Sequence, residues 1–371
     1  MIYLTYNDQP SGIYSSQVID VVKYLNSIQK EEKVKLVALI SVRSFFRNKQ
    51  KIKQQLPDAT VLPMFPKAAL WRVNYFVLSF IVKDKKVMAR GPFAASLALR
   101  LKKAGKVNKV IFDARGAYKA ELNEYDVVPN KTIKKEIEGI EKDVVLNSDF
   151  RLAVSGALVN YWKKEFNYNS DKHVIIPCTL SNYFTDEFPD EEKLKQIKTD
   201  IGFNVNDPVI VYSGSSAGWQ SFSLVEKMLN EVFVRNIDVQ LLWLTDHLNE
   251  NSGFVKQFRN RIKTAWVKPA EVRNYLLAGD HGLLYREDSV TNQVASPVKF
   301  AEYLSCGLNV MISDGLGDFS EFVRKNNCGS VGYVSSVYKV SYESKLQNHK
   351  LAKQSLVKEG YKTDYLKLLQ A

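Results

Sequence analysis

A chain of 371 residues is longer than one hydrophobic core spans, so two domains of ordinary size are expected. With 45% hydrophobic and 25% charged residues, the composition excludes a disordered or fibrous chain. The net charge of +12 is confined to the first half: residues 1–180 carry 30 Lys and Arg against 17 Asp and Glu, whereas residues 181–371 carry 22 against 23.

The chain opens on MIYLTYNDQP, which reads as a first strand (Ile2 to Tyr6) and lacks the basic and apolar blocks of an export signal. A turn at Asn-Asp-Gln-Pro-Ser-Gly follows, then a helix from Gln17 to Leu25 with Val18, Val21, Val22 and Leu25 on one face. Strands are expected at Val34 to Ile40, Thr60 to Leu62, Val87 to Ala89 and Lys109 to Asp113, with a helix from Phe93 to Lys103. A helix over Lys131 to Asp149 and strands at Phe150 to Val154 and Val174 to Pro177 close this half. Strands alternating with helices predict a doubly wound, parallel α/β sheet. After the polar, acidic stretch Ser181 to Asp207 the pattern restarts. Strands are expected at Pro208 to Tyr212, Val239 to Leu244, Thr264 to Val267, His281 to Tyr285 and Asn309 to Ser313, and helices at Ser223 to Asn230, Ala270 to Ala278 and Pro297 to Cys306. The expected organisation is two Rossmann-like domains facing a cleft, residues 1–180 and 181–340, with a helical tail over 341–371 that packs back on the first.

No run of eighteen uncharged apolar residues occurs, so no membrane span is expected. Cys178, Cys306 and Cys328 are odd in number and widely spaced, which suggests neither a disulfide framework nor a zinc site and fits a cytoplasmic protein. His173, His247, His281 and His349 form no metal-binding or catalytic spacing, and no metal is expected.

Ligands of open parallel sheets bind at the carboxyl ends of strands. The segment Arg286 to Val310, REDSVTNQVASPVKFAEYLSCGLNV, places Ser296 as an N-cap, Pro297 at the first helical position and Gly307 at the helix end. Its amino end is a candidate anion site, to which Arg286 and Lys299 add positive charge, with Glu302 one turn further on. A diphosphate joined to a ribose diol fits this pattern; so does a surface helix with an incidental cap.

SPVKFAEYLSCGLNVMISDGLGDFSEFV resembles the nucleotide-sugar signature of the retaining glycosyltransferases of family four, which have the two-domain fold called GT-B. Further matches run in order: the Gly12 loop, RGP at Arg90 to Pro92, FDARG at Phe112 to Gly116, IIPCTLSNYF at the domain link, VYSGSSAGW at Val211 to Trp219, and PAEVRNYLLAGDHGLLYRE at Pro269 to Glu287. The resemblance implies an enzyme with a nucleoside-diphosphate sugar as donor substrate and no separate cofactor. Glu302 would contact the donor ribose, Ser296, Pro297 and Val298 would hold the diphosphate through backbone amides, and Arg286 or Lys299 would neutralise it. The loops carrying Gly12, Gly214 and Ser215 are further donor-binding candidates. Retention is implied, in which the leaving phosphate itself takes the acceptor proton, so no catalytic residue is assigned. No DxD motif appears, consistent with a metal-independent reaction.

Two departures stand out. Where the family carries a second Glu, eight positions before Glu302, this chain has Val294, and Asn292 or Asp288 are the available substitutes. Where it carries Arg and Lys after the first strand of the second domain, this chain has Gly218-Trp219-Gln220-Ser221, which shifts phosphate contacts to Arg286 and Arg115. In the first half Asp113, Arg115 and Glu121 are candidates for the acceptor or the phosphates, or for fixing loops.

The expected acceptor is a glycan or lipid-linked glycan of surface polysaccharide synthesis, with the basic half contacting an anionic inner leaflet. Met64 to Val82 interleaves Phe65, Trp71, Tyr75 and Phe76 with Lys67 and Arg72, a pattern of lipid docking or of a buried helix. Competing readings are a non-hydrolysing sugar-nucleotide epimerase of the same fold, which needs carboxylates and a histidine together, and a basic nucleic-acid-binding protein, for which no recognisable motif appears. No GxGxxG supports a dehydrogenase.

Overall fold

The computed structural model describes residues 1–29, 32–65, 68–83, 86–125, 131–184, 186–214, 221–245, 248–334 and 336–371. The chain divides into two compact units, one of residues 1–181, 294–296 and 361–371, the other of residues 182–293 and 297–360.

The first unit contains, in order, β1 (Ile2–Tyr6), α1 (Gly12–Tyr14), α2 (Asp20–Ile28), β2 (Lys35–Ser41), α3 (Phe45–Gln55), β3 (Thr60–Met64), α4 (Asn74–Ile81), β4 (Lys86–Arg90), α5 (Gly91–Lys103), β5 (Lys109–Ala114), α6 (Tyr118–Glu124), α7 (Lys131–Asn147), β6 (Phe150–Ala153), α8 (Gly156–Phe166) and β7 (His173–Ile175). Its seven strands are ordered β3-β2-β1-β4-β5-β6-β7, and every pairing is parallel. Leu36 to Ile40 are all buried, the unbroken apolar run of a strand covered on both faces. Pro63, which cannot donate to a ladder, stands on the edge strand β3. Helix begins earlier than the spacing predicts, at Gly12, because the Ser11 hydroxyl accepts from the Tyr14 N–H at 3.3 Å; a π turn over Ser15–Ile19 then leads into α2. Helix α3 gives little sequence signal because only Asn48 and Ile52 of its eleven residues are buried.

The second unit contains α9 (Glu191–Asp200), β8 (Val209–Ser213), α10 (Phe222–Arg235), β9 (Gln240–Leu244), α11 (Gly253–Phe258), β10 (Ile262–Ala265), α12 (Val272–Leu276), β11 (His281–Leu284), α13 (Val290–Gln293), α14 (Val298–Ser305), β12 (Asn309–Ile312), α15 (Phe319–Asn326), β13 (Gly329–Val331) and α16 (Tyr342–Ser355). Its sheet is parallel in the order β10-β9-β8-β11-β12-β13. Trp243 stacks on Phe222 and packs with Phe233, Phe254 and Val232 in its core. Both sheets are therefore the doubly wound parallel α/β type that the alternation predicts, and in each the strand order reverses once, between β1 and β4 and between β8 and β11. That reversal leaves a crevice at the carboxyl ends of the two strands.

The tail does not run as one piece. Helix α16 belongs to the second unit, where Lys345, Asn348 and His349 are buried. Only residues 361–371, with α17 (Lys362–Gln370), join the first unit, and Tyr365 and Leu368 enter its core beside α2.

Candidate functional site

At the β8/β11 reversal the carboxyl ends of the strands meet the amino end of α14. Tyr303 pins the helix there: its ring lies against Gly282 of β11, where a Cβ would come within 2.4 Å of the ring, and its hydroxyl accepts from the Ser213 N–H at 2.9 Å. Phe300 stacks on Phe319 at 4.1 Å from the other side. The helix stops as expected at Gly307, whose φ of +81° suits glycine. There Leu308 N–H donates to the Tyr303 carbonyl at 3.0 Å and Gly307 N–H to that of Leu304 at 2.9 Å, a Schellman closure.

The amino end differs from the expectation. Val298 is the first helical residue and Pro297 occupies the cap, with no side chain closing the helix. Ser296 is not the N-cap: its hydroxyl accepts from the Cys178 N–H at 2.9 Å, and residues 294–296 belong to the first unit. The first N–H groups of a helix have no partner within it, so the cap given up by Ser296 leaves the positive end of α14 without a side-chain acceptor of its own.

Lys299 and Glu302 follow in the first two turns. Lys299 Nζ lies 5.5 Å from the centroid of the Tyr212 ring and would be 2.7 Å from a Cβ placed on Gly214. Gly214 thus keeps the end of β8 open beside the lysine, and its N–H is held by the Leu244 carbonyl at 3.0 Å. Burial, with the nearby Arg286 charge, pulls the Lys299 ammonium down to about 7, against the attraction of Glu302. Burial pushes the Glu302 carboxyl up to about 7, with Lys299 opposing. Arg286 is buried just beyond β11, its N–H donating to the Ser313 hydroxyl at 3.2 Å and its guanidinium to Asn292 Oδ1 at 3.3 Å. Asn292 also donates to the Glu287 carbonyl at 3.1 Å, so it is engaged in holding the arginine. Asp288 accepts from Gln293 at 2.7 Å. The unit therefore gathers Gly214, Arg286, Pro297, Val298, Lys299 and Glu302 at one sheet end: a helix amino terminus, a fixed cation, a lysine that changes charge near neutrality and a carboxyl one turn away. Ser215 lies outside the described residues, and Gly12 begins α1 in the first unit.

No protein-family model and no curated protein matches the sequence. Solved structures do match. Sucrose-phosphate synthase from Thermosynechococcus elongatus aligns with a TM-score of 0.68 at 10% identity, over 100% of this chain and 98% of that one. HepE from Anabaena, solved in complex with UDP-glucose, gives 0.68 at 12% identity, over 99% of each chain. A protein from Listeria monocytogenes described as a UDP-N-acetylglucosamine 2-epimerase gives 0.53 at 11% identity, over 99% of this chain and 90% of that one. The chain has the fold of these proteins.

At the β1/β4 reversal of the first unit the expected candidates take different parts. Asp113 is fully buried at the end of β5. It accepts from the Tyr3 hydroxyl and pairs with Arg115 Nε at 2.8 Å and Arg90 Nη1 at 3.6 Å. It is therefore the centre that fixes two arginines at the end of the strand. Arg90 reaches further, to Asp8 Oδ2 at 3.3 Å. Asp8, not anticipated from the sequence, is pushed up by burial against the pull of Arg90. Its signal was a carboxylate in the turn directly after the first strand; its partner lies 82 residues away, which hid the pairing. Glu121 is half-buried on α6 and raised by burial. The amino end of α6 is held by Glu141 of α7, which accepts from Tyr118 and Lys119 N–H at 3.1 and 2.7 Å.

Among the described histidines, His281 contacts the Tyr338 carbonyl at 2.7 Å, His349 that of Ser305 at 2.6 Å, and His173 the Tyr168 hydroxyl at 3.2 Å. His247 lies outside the described residues.

Proposed function

We propose that this chain is a glycosyltransferase that moves a sugar from a nucleoside-diphosphate donor to a glycan or lipid-linked glycan in surface polysaccharide synthesis, with retention and without a metal. The observation that carries this reading is the juxtaposition of Arg286, Lys299 and Glu302 with the amino end of α14 and the close approach at Gly214. The fold shared with sucrose-phosphate synthase and HepE supports it.

In this reading Glu302 accepts from the ribose hydroxyls of the donor. The Val298 N–H at the start of α14, together with Arg286, holds the diphosphate, and Lys299 takes up a proton as that charge arrives. The bond from the anomeric carbon to the diphosphate oxygen breaks, and the acceptor oxygen bonds to the same face of that carbon. The acceptor proton passes to the departing phosphate, and the cations and helix dipole stabilise the charge that develops. Arg115 and Glu121 are proposed to line the acceptor side, Asp113 acting through Arg115 and Arg90. The basic first half would hold the enzyme at an anionic membrane surface.

An epimerase is the second reading, favoured by the Listeria likeness. It fits less well because the three described histidines are each engaged with a neighbouring carbonyl or hydroxyl.

A thermal-shift screen with UDP, GDP, CDP, ADP and their sugars in EDTA tests the proposal; the UDP-glucose bound by HepE makes uridine nucleotides the first to try. At a hundredfold excess over Kd a ligand adds about 2.7 kcal/mol. One nucleotide is expected to raise the melting temperature, and Glu302→Ala to remove most of the shift. No shift with any nucleotide would sink the reading.

A further inference from the structure

Helix α4 has the composition of a core helix but lies on the surface. Of NYFVLSFI only Asn74, Leu78 and Ser79 are buried. Phe76, Val77, Phe80 and Ile81 are 59%, 42%, 77% and 39% exposed, and Leu70 just upstream is 42% exposed. Positions 76, 80 and 77, 81 are each one turn apart, so these side chains form a single apolar stripe. Scattered exposed apolar residues are ordinary, but a contiguous stripe marks a contact surface. No Asp or Glu occurs from 68 to 83, and Arg72 and Lys83 flank the stripe.

A groove of about 190 Å³ opens beside it, lined by Trp71, Arg72, Leu97, Arg100, Lys103 and Asp143 among others. Arg100 of α5 stacks on Tyr75 of α4, its Cζ 4.7 Å from the ring centroid, so stripe and groove belong to one surface of the first unit. Arg72 is held by Glu136 at 3.0 Å and lies 4.7 Å from the centre of the Trp71 ring. Arg100 and Lys103 remain exposed, against one acidic residue in the groove, Asp143. Trp71 itself is 3% exposed and forms the floor of this surface, not part of the stripe.

We propose that α4 and the Arg100–Lys103 groove form a docking surface for an anionic phospholipid bilayer, with Phe76 and Phe80 entering the acyl boundary and the cations meeting lipid phosphates. The inference rests on the membrane part of the reading above and not on sugar transfer. Charge and apolarity together select the occupant. A nucleic-acid duplex meets the cations, but its stacked bases give a phenylalanine that is 77% exposed no apolar partner, and a single strand could stack on the phenylalanines but would leave Val77 and Ile81 without an apolar one. A second copy would cover the stripe but set Arg100 and Lys103 against like charges. A bilayer satisfies both, apolar side chains below and phosphates at their level. Eight residues span only about 12 Å, so α4 lies along the interface and does not cross it. No described helix is long and apolar enough to do so.

Flotation with vesicles of phosphatidylcholine alone, or with 30% phosphatidylglycerol, tests this on the full chain. Wild type is expected to float with the anionic vesicles only. Phe76→Ser/Phe80→Ser is expected to lose about tenfold or more in vesicle affinity, and Arg100→Glu/Lys103→Glu to lose binding in a salt-dependent manner. Unchanged circular dichroism and melting temperature in the variants exclude misfolding, and an unchanged nucleotide response separates this surface from the donor site. Binding that survives both variants, absence of binding to either vesicle, or a dimer in sedimentation equilibrium that Phe76→Ser/Phe80→Ser dissociates would each overturn the proposal. None of these outcomes bears on sugar transfer, which the nucleotide screen decides alone.

Discussion

Lys299, like Glu302 beside it, changes charge near neutrality. Burial lowers the lysine to about 7, so in the free protein it is largely protonated below that pH and largely neutral above it. An incoming diphosphate favours the ammonium and raises its pKa again. Nucleotide binding above pH 7 should therefore take up a proton, and affinity should fall as pH rises through 7 until the pKa of the bound state is passed. Calorimetry in buffers of different ionisation enthalpy checks this: at pH 8 the apparent enthalpy should vary with buffer, and in Lys299→Met that variation should shrink. Lys299→Met should also weaken nucleotide binding. At this scale the sequence was only partly readable. Lys299, Glu302 and Arg286 are visible from their spacing about a helix start and a strand end. Ser296 misled because its hydroxyl is taken by Cys178, 118 residues earlier, and a local capping rule does not see such a partner. Asp8 was missed for the same reason, its partner being the distant Arg90.

At the scale of elements, the second unit is tied together by Asp280, which stands just before β11. One oxygen accepts from Lys198 of α9 at 3.1 Å and from Val209 N–H of β8 at 3.0 Å; the other accepts from Lys345 of α16 at 3.0 Å and from Val340 N–H at 3.2 Å. Burial works against its ionisation, but the two ammoniums and the backbone N–H groups hold it below the ordinary carboxylate value. A carboxyl whose pKa is depressed by folding stabilises the fold above its unfolded value of about 3.9 and loses that contribution as pH falls through the folded value. Asp280→Ala should cost about 3–5 kcal/mol at pH 7, because two buried lysines lose their counter-charge. Urea titrations should show that deficit shrinking toward pH 3; a deficit independent of pH would refute the role assigned to the ion pairs. None of this was visible in the chain, where Lys198, Asp280 and Lys345 are scattered across two helices and a loop. What was visible was the helical tail that carries Lys345 and the strand that Asp280 introduces; α9, which carries Lys198, read only as a polar, acidic stretch. Elements with a full apolar face, such as α5 and β2, declared themselves; α3, with two buried residues, did not.

At the scale of the whole molecule, the alternation of strands and helices was sufficient to give two parallel sheets, because each buried strand is a short apolar run and each crossover a periodic one. The return of the chain was less legible, since α16 and α17 read as one lysine-bearing helical stretch. The break at 356–361 divides them between units, and Lys86 and Lys109 bond the Leu369 and Ala371 carbonyls in the first. A fragment of residues 1–181 therefore lacks Tyr365 and Leu368, both buried in its core, and Tyr24 loses its edge-on contact with Tyr365. It should be less stable than the first unit within the full chain by several kcal/mol, as expected for two lost core side chains. Adding a peptide of residues 361–371 should recover part of that stability. Chemical denaturation of the fragment with and without the peptide checks this, and a fragment as stable alone as with peptide would show that α17 is dispensable.

The placement of α17 also orders events during synthesis. A ribosome adding about 5–20 residues per second delivers the first 181 residues well before the helix that completes their core, so the unit made first waits about 10–40 s for its last piece. During that interval the apolar surface that Tyr365 and Leu368 will cover stays open, and the whole of the second unit is made before they arrive. The half of the protein translated first is thus the last able to finish folding, and it is in that interval that a chaperone or a protease has the opportunity to act on it.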